Sequence, residues 1–283
     1  MEWGEVDRPL ATFGGQPAFC RIPVDGDGQL WLVTYTCPMS KEGPEFFDDP
    51  DVFQQYLQHR ESRDNPNDAM ESPVILELLG PLSGARILDL GCGDGRLGRN
   101  VLDRGAASYF GVDGSPKMVA LAKENLLGSA AQVVRADICA WTYPLEAFEV
   151  VLSRLALHYI EDLDGVLREI RGCLIPGGRF IFSVEHPVLT SCDKALPPGT
   201  IRQDWIVDNY FNTGHRITRW MGELVVKYHR TVEDYFVSLQ KAGFVIEQLR
   251  EGKPDRHAFS ANESFERRTR IPLFLIFGTR KPL

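Results

Sequence analysis

The chain is poor in cysteine, and no two cysteines lie close together. Its six, Cys20, Cys37, Cys92, Cys139, Cys173 and Cys192, are scattered over 283 residues. With no C-x-x-C pair, neither a zinc ribbon nor a thiol redox motif is indicated. There is also no unbroken apolar run of the ~20 residues that a membrane-spanning helix needs. The start, Met1-Glu-Trp-Gly-Glu5, lacks the basic segment and apolar stretch of a secretory signal. The expectation is a cytoplasmic protein with no membrane partner. Positive charge is scarce too: 31 Lys and Arg against 39 Asp and Glu leave a net charge of −8. That balance disfavours a nucleic-acid partner, because such a surface must neutralise phosphates. The short basic clusters Arg168–Arg171 and Glu266–Arg270 are mixed with acids and read as solvated faces or loops. No repeat or low-complexity tract is present. At 43% hydrophobic, the chain can bury a sizeable core, as one large domain with additions or as two small ones.

What the chain does contain is a glycine turn in an informative place. Ala85-Arg-Ile-Leu-Asp-Leu-Gly-Cys-Gly-Asp-Gly95 is a short apolar run that passes Asp89 and breaks into Gly91, Gly93 and Gly95. A helix-compatible stretch, Arg96 to Arg104, follows directly. Glycine admits positive φ and lets a ligand lie against bare backbone. The helix start adds free N–H groups and partial positive charge. Such a strand–turn–helix binds a nucleotide-like ligand at the carboxyl end of a parallel strand. A nicotinamide cofactor calls for G-x-G-x-x-G. Here the spacing is G-x-G-x-G, and Asp89 stands where it would repel a pyrophosphate and attract an ammonium. Cys92, inside the turn, also suits a small buried filler. Ser108–Val112 reads as a second strand ending at Asp113. That is the interval, about 20 residues on, where nucleotide-binding α/β folds place a carboxylate on ribose hydroxyls. The alternative for Asp113 is an acid at a helix N-terminus.

The rest of the chain repeats the alternation. Ser115 suits an N-cap and Pro116 a first turn, for a helix running to about Leu127. Gln132–Asp137, Phe148–Ser153 and Arg179–Val184 read as the third, fourth and fifth strands. Asp162 to Cys173 has helical periodicity through Leu163, Val166, Leu167 and Ile170, and Ile175-Pro-Gly-Gly178 stops it. Thr231 caps a helix to Ala242, Gly243 ends it, and Phe244–Leu249 and Ile271–Phe277 supply two more strands. The predicted class is α/β: a doubly wound, seven-stranded, mostly parallel sheet.

The pattern [DE]-x-G-x-G-x-G at Asp89–Gly95, followed in order by Asp113 and Asp137, resembles class I S-adenosylmethionine (SAM)-dependent methyltransferases of the small-molecule type. The resemblance covers roughly residues 70 to 250. It implies a Rossmann-like sheet with an antiparallel last strand pair, SAM as cofactor and no metal. It implies that the methionine part of SAM passes Gly91, Cys92, Gly93 and Gly95, with Asp89 holding its amino end. Asp113 and Gly114 would meet the ribose. Met118 and Ile138 would pack on adenine, and Asp137 would accept from its amino group. Ser153 and Leu155 would border the methionine and methyl group. For Met118 and Asp137, a core methionine and a solvated strand-end acid stay open.

Three regions lie outside this core. Residues 1–70 form an N-terminal extension or cap, and residues 71–283 the SAM-binding domain. In the extension, the turn Asp25–Gly28 precedes a strand Trp31–Thr36, which a hairpin would pair with Gln16–Ile22. A helix–loop–helix follows: Val52–Tyr56 opens the first helix, Asn65–Asp68 interrupts, and the second runs from Ser72-Pro73 to Leu79. Tyr56, Arg60 and Arg63 face the cofactor carboxylate or the substrate, or else pack on the surface. The third region is a long insert, about 186–230, of the kind that forms lids. Ser183–Pro187 and His229–Tyr235 resemble a methyltransferase subgroup in which this insert is a paired-strand cover. The expected substrate contacts are Tyr56, His158 and the lid aromatics Trp205, Tyr210, Phe211, Trp220 and Tyr228. Glu251-Gly-Lys-Pro254 departs from the Glu-Pro-rich turn of that subgroup, so the substrate does not transfer through that loop.

In-line displacement at a sulfonium methyl depends on positioning, and an oxygen or nitrogen acceptor also needs its proton removed. His186 is the first candidate base, His229 the second and Glu185 the third. The sequence reading is therefore methyl transfer from SAM to oxygen or nitrogen of a small, partly aromatic or apolar specialised (secondary) metabolite, by a monomer or homodimer. Alternatives are C-methylation of an activated ring or prenyl-type substrate, and a non-catalytic SAM-binding regulator. RNA methylation ranks below these. The acidic balance disfavours it, and Ser153-Arg-Leu-Ala156 stands where an Asn/Asp-Pro-Pro-Tyr motif would be.

Overall fold

The computed structural model describes residues 43–61, 64–192 and 204–283. The expected strands Gln16–Ile22 and Trp31–Thr36, together with Cys20, Cys37 and Arg63, lie outside the described residues.

The first elements are short and begun by proline. Helix α1 spans Glu45–Asp48 and α2 spans Pro50–Glu61. Asp49 accepts from the N–H groups of Asp51 and Val52, at 2.9 and 3.2 Å, and so starts α2. The Asn65 side chain then accepts from the Asn67 N–H at 3.0 Å, which produces the expected interruption. One π-helical turn, Asn67–Glu71, runs directly into α3, Ser72–Leu79.

Five strands are parallel: β1 (Arg86–Leu90), β2 (Ser108–Asp113), β3 (Ala131–Arg135), β4 (Phe148–Arg154) and β5 (Leu174–Glu185). The crossovers are α4 (Arg96–Asp103), α5 (Pro116–Asn125) and α6 (Leu163–Cys173). Ser115 caps α5 by accepting from the Met118 N–H, and Asp162 caps α6 by accepting from the Gly165 N–H. After β5 come α7 (Pro187–Thr190), then an antiparallel hairpin of β6 (Gly214–Trp220) and β7 (Glu223–His229). Met221 and Gly222 make its turn, both at positive φ, the primed geometry that suits strand twist. Helix α8 (Val232–Lys241) carries a full capping box from Thr231 and Asp234. Then follow β8 (Val245–Glu251), α9 (Asn262–Thr269) and β9 (Phe274–Arg280).

The sheet order is β3-β2-β1-β4-β5-β9-β8, with β9 antiparallel to both neighbours. One boundary differs from expectation. Strand β5 begins at Leu174 and includes Ile175–Gly178, which had read as a turn. The reason is pairing: Leu174 meets Phe148, and the Gly177 N–H and Gly178 carbonyl bond to Lys281.

Alternation along the strands builds a core on each face. Ile87, Val150 and Ile181 turn toward α3, α4 and α5. Leu88, Val151, Phe180 and Phe182 turn toward α6 and α8. The stacked rings of Phe180, Phe182 and Phe277, 4.8 and 5.1 Å between centroids, fill the second face. Strand order reverses between β1 and β4, and the loops leaving these strands part there. Ligands of doubly wound sheets bind at that point.

One close contact controls how α4 sits on the sheet. A Cβ on Gly98 would lie 2.8 Å from Cε1 and Cζ of Tyr109, which is 1% exposed. Gly98→Ala gains about 1 kcal/mol of helix propensity. It overpacks that contact by about 1–3 kcal/mol. The expected result is a lower urea midpoint.

Candidate active site

A cavity of about 1510 Å³ opens at the carboxyl ends of the parallel strands. Its floor is the glycine turn. The N–H groups of Gly91 and Cys92 both donate to the Val112 carbonyl, at 2.8 and 3.1 Å. Gly91 holds φ +73°, and a Cβ there would lie 2.4 Å from the Ala156 Cβ. The loops after β1 and β4 therefore touch at bare backbone, and Gly91, Cys92 and Gly93 line the cavity.

Several acids stand on or beside this floor, Asp94 of the turn itself among them. Asp89 is 2% exposed; its Oδ2 accepts from the Tyr109 hydroxyl at 2.7 Å, and its Oδ1 is buried with no hydrogen-bond partner. Burial pushes the Asp89 pKa up to about 6, against the lowering effect of the Tyr109 bond. Asp113, at the end of β2, accepts from the N–H groups of Gly93 and Ser115, each at 2.9 Å. Burial raises its pKa as well. Asp137 stands past β3 and accepts from the Cys139 N–H at 2.8 Å. Asp48 of α1 accepts from the Ser115 hydroxyl at 2.6 Å and joins the N-terminal helices to α5. Gly114, Met118, Ile138 and Leu155 complete this half of the lining.

The other half is aromatic and carries charge. The ring centroids of His158 and Tyr159 are 4.3 Å apart in the turn after β4. His158 is 2% exposed, its Nδ1 has no hydrogen-bond partner, and burial drives its pKa down to about 3. It is neutral throughout the physiological range. Glu185, at the end of β5, takes Lys227 Nζ of the lid at 2.7 and 2.8 Å. That ammonium also lies 5.8 Å from the Tyr159 ring and 5.7 Å from Trp220. Trp220 stacks on Phe46, and Phe47 meets both Trp220 and Tyr56 edge-on, so α1, α2 and the lid hairpin close over the cavity together. Burial raises the Tyr56 pKa to about 12 and keeps its hydroxyl protonated. Trp205 and Tyr228 also line the cavity.

Six expected site residues do not line it. His186 caps α7: its Nδ1 accepts from the Val188 N–H at 3.2 Å, and its Nε2 lies 3.0 Å from the Glu251 carboxylate. His229 is fully buried, with Nδ1 2.7 Å from Thr190 Oγ1 and Nε2 2.9 Å from the Tyr210 carbonyl. Both of its ring nitrogens are used in fixing the base of the lid. Neither histidine, the first two candidate bases, lines this cavity. Tyr210 is turned the other way, its hydroxyl accepting from the Val232 N–H at 3.3 Å. Phe211 is 88% exposed outside the cavity. Ser153 points back into the sheet and donates to the Leu90 carbonyl at 2.9 Å. Gly95 packs α4 on α5, where a Cβ would lie 2.9 Å from Leu126.

Sequence reading missed one cluster altogether. Arg154, which lines the cavity, bonds through Nε to both oxygens of Glu71, at 3.0 and 3.1 Å, and through Nη2 to Glu71 and to Ser72 Oγ. The Ser183 hydroxyl donates to the same carboxylate at 2.6 Å. Arg154 and Glu71 are 83 residues apart, and nothing local marks them as partners. Lys227 was missed because a lysine in a two-stranded hairpin ordinarily faces water, whereas here it is 4% exposed.

Fold and cavity together define a Rossmann-like nucleotide-cofactor enzyme, and comparison with known proteins places it more closely. Residues 88–182 match the family model of a methyltransferase domain. The chain is 33% identical over 218 residues to an uncharacterised protein of Haemophilus influenzae, covering 72% of this chain and 85% of that one. It is 34% identical to the solved SAM-dependent methyltransferase of Mesorhizobium loti, with a TM-score of 0.67, covering 78% of this chain and 99% of that one. Over 156 residues it is 33% identical to the malonyl-[acyl-carrier protein] O-methyltransferase of Salmonella typhimurium, covering 55% of this chain and 56% of that one. The chain belongs to the SAM-dependent methyltransferases, and SAM is its cofactor. No helix among the described residues is long and apolar enough to cross a membrane.

The buried ion pair gives a stability test. Glu71 is 0% exposed, and its removal leaves the Arg154 guanidinium buried without its counter-charge. Glu71→Ala is expected to cost about 3–5 kcal/mol in urea unfolding. A loss below about 1 kcal/mol, the level of an exposed pair, would show that Arg154 finds water instead.

Proposed function

We propose that this enzyme methylates an oxygen or nitrogen of a small metabolite held between the glycine turn and the lid. The carrying observation is one continuous cavity with two unlike halves. Its volume, about 1510 Å³, exceeds the ~300–1,000 Å³ usual for a single ligand site. It accommodates cofactor and acceptor together.

The residues present fit SAM. The orphaned Oδ1 of Asp89 suits the cofactor's ammonium, and the bare backbone of Gly91 to Gly93 suits close approach of its methionine part. Asp113, with both oxygens already oriented by backbone N–H groups, suits the ribose hydroxyls. Asp137 and Ile138 suit the adenine edge and face. When bound, SAM supplies an electrophilic methyl group. The chain's own part is to hold the acceptor in line and to take its proton. His158 is assigned that role. Its neutral ring presents a nitrogen acceptor at the carboxyl end of β4. Once the new bond to carbon forms, the acceptor's proton becomes strongly acidic, so a histidine of low pKa suffices to take it. Glu185, paired with Lys227, orients the acceptor. The name of the Salmonella relative supports oxygen as the acceptor element.

The cofactor half is tested by calorimetry with S-adenosylhomocysteine (SAH). Asp89→Asn is expected to weaken binding by about 10–100-fold, the worth of a charge-assisted hydrogen bond. The ligand favours ionised Asp89, whose pKa in the free protein is about 6. Wild-type affinity therefore falls as pH drops through that value, and the variant's falls less, by what Asp113 contributes. Equal affinities and matching profiles would remove Asp89 from the site. The acceptor half is tested with methyl-labelled SAM and a panel of small alcohols, phenols and amines. His158→Ala is expected to lower turnover about 100-fold with SAH affinity unchanged. Full turnover in the variant would reject His158.

A further inference from the structure

Charges of both signs line the cavity, with Arg96 and Arg135 near the strand-end acids and Glu161 and Glu185 on the other side, and two groups of like charge stand out among them. Asp89, Asp113 and Asp137 stand over β1, β2 and β3, on one side of the order reversal. On the other side, where β9 begins, Leu273 and Phe274 form an apolar wall and the mouth is basic. Arg60 comes from the last turn of α2, and Arg267 and Arg268 come from the last turn of α9. His59 sits beside them: after burial, the charges of Arg268 and Arg60 push its pKa down. Burial and then Arg267 likewise depress Arg268, against the raising effect of Asp64.

Like charges gathered together are costly unless opposite charge offsets them, and here Asp68 pairs with Arg60 and Asp64 acts on Arg268. The Arg60 side chain is 8% exposed, bonds to Asp68 at 3.1 Å, and leaves Nε buried with no hydrogen-bond partner. Among the described residues, neither Arg267 nor Arg268 forms an ion pair. Arg267 instead lies 5.0 Å over the Trp205 ring, as does Arg270. Glu185, the carboxylate on β5, is taken by Lys227. Planar guanidiniums match carboxylate and phosphate oxygens.

We infer that this end of the cavity binds a carboxylate or phosphate carried by the methyl acceptor, whose apolar body lies on Leu273 and Phe274. The acceptor is thus an amphiphilic acid, anchored at the mouth, with its reacting atom between His158 and the cofactor. The inference rests on the cofactor site proposed above, so its test is run on the full chain saturated with SAH.

Four probes of one size serve: phenylacetate, phenyl phosphate, 2-phenylethanol and phenethylamine, each titrated calorimetrically. At least one anion is expected to bind more tightly than the alcohol and the amine, and to weaken as salt is raised. The Arg267→Gln/Arg268→Gln variant is expected to lose about tenfold or more in anion affinity while SAH affinity stays within about twofold. Binding of the amine or alcohol as tightly as the anions would overturn the inference, as would binding by neither anion. If the variant loses SAH together with the anion, the arginines hold the cofactor's carboxylate and the inference fails. Failure of the wild-type chain to bind SAH would overturn the cofactor site itself, and the inference with it.

Discussion

A carboxylate buried at the end of a parallel strand is the constraint around which this protein is arranged. Asp89 cannot be held there without a donor, and the Tyr109 hydroxyl supplies it from the neighbouring strand. That hydroxyl reaches Asp89 only because Gly98 lets the Tyr109 ring lie flush against α4. The position of α4 in turn sets the glycine turn that precedes it. A polar group at 2% exposure therefore ties together two strands, a helix and the floor of the cavity. One oxygen is still unsatisfied, and that unmet demand is what a cationic ligand answers.

The opposite wall shows the same economy with different chemistry. Arg154 closes the loop after β4 onto Glu71 in the π-helical turn, and Ser183 at the end of β5 joins the same carboxylate. Three segments distant in sequence thus share one buried negative charge. Lys227 does the corresponding work for the lid, anchoring β7 to Glu185 and to two aromatic rings. Such pairs add little net stability once desolvation is counted, but breaking one leaves a buried charge alone. They specify where the lid and the N-terminal helices sit.

The positions of the two halves explain how one cavity can receive ligands of unlike charge. Asp89, Asp113 and Asp137 stand at or past the ends of β1 to β3, and Arg60, Arg267 and Arg268 come from α2 and α9. That arrangement favours one orientation of each ligand and opposes the reverse.

Much of this was legible in the sequence because it is local. Apolar periodicity, capping residues at Ser115 and Thr231, and the glycine turn all act within a few residues, and the parallel strands and crossover helices they predict are present among the described residues. The acids Asp89, Asp113 and Asp137 were legible because each ends or follows a strand, and parallel strands deliver their carboxyl ends to one edge. The surroundings of the histidines were not legible, for a physical reason. His186 and His229 are close to that edge in sequence. Yet a histidine's role depends on what its two ring nitrogens meet, and here they meet Val188, Glu251, Thr190 and Tyr210. The sequence by itself determined the order of elements, the strand-end acids and the presence of an insert. Only the tertiary structure decided which face of that insert is buried, which histidine is left with a free nitrogen, and which arginines gather at the mouth. Those outcomes depend on pairings across tens of residues, and no local propensity encodes them.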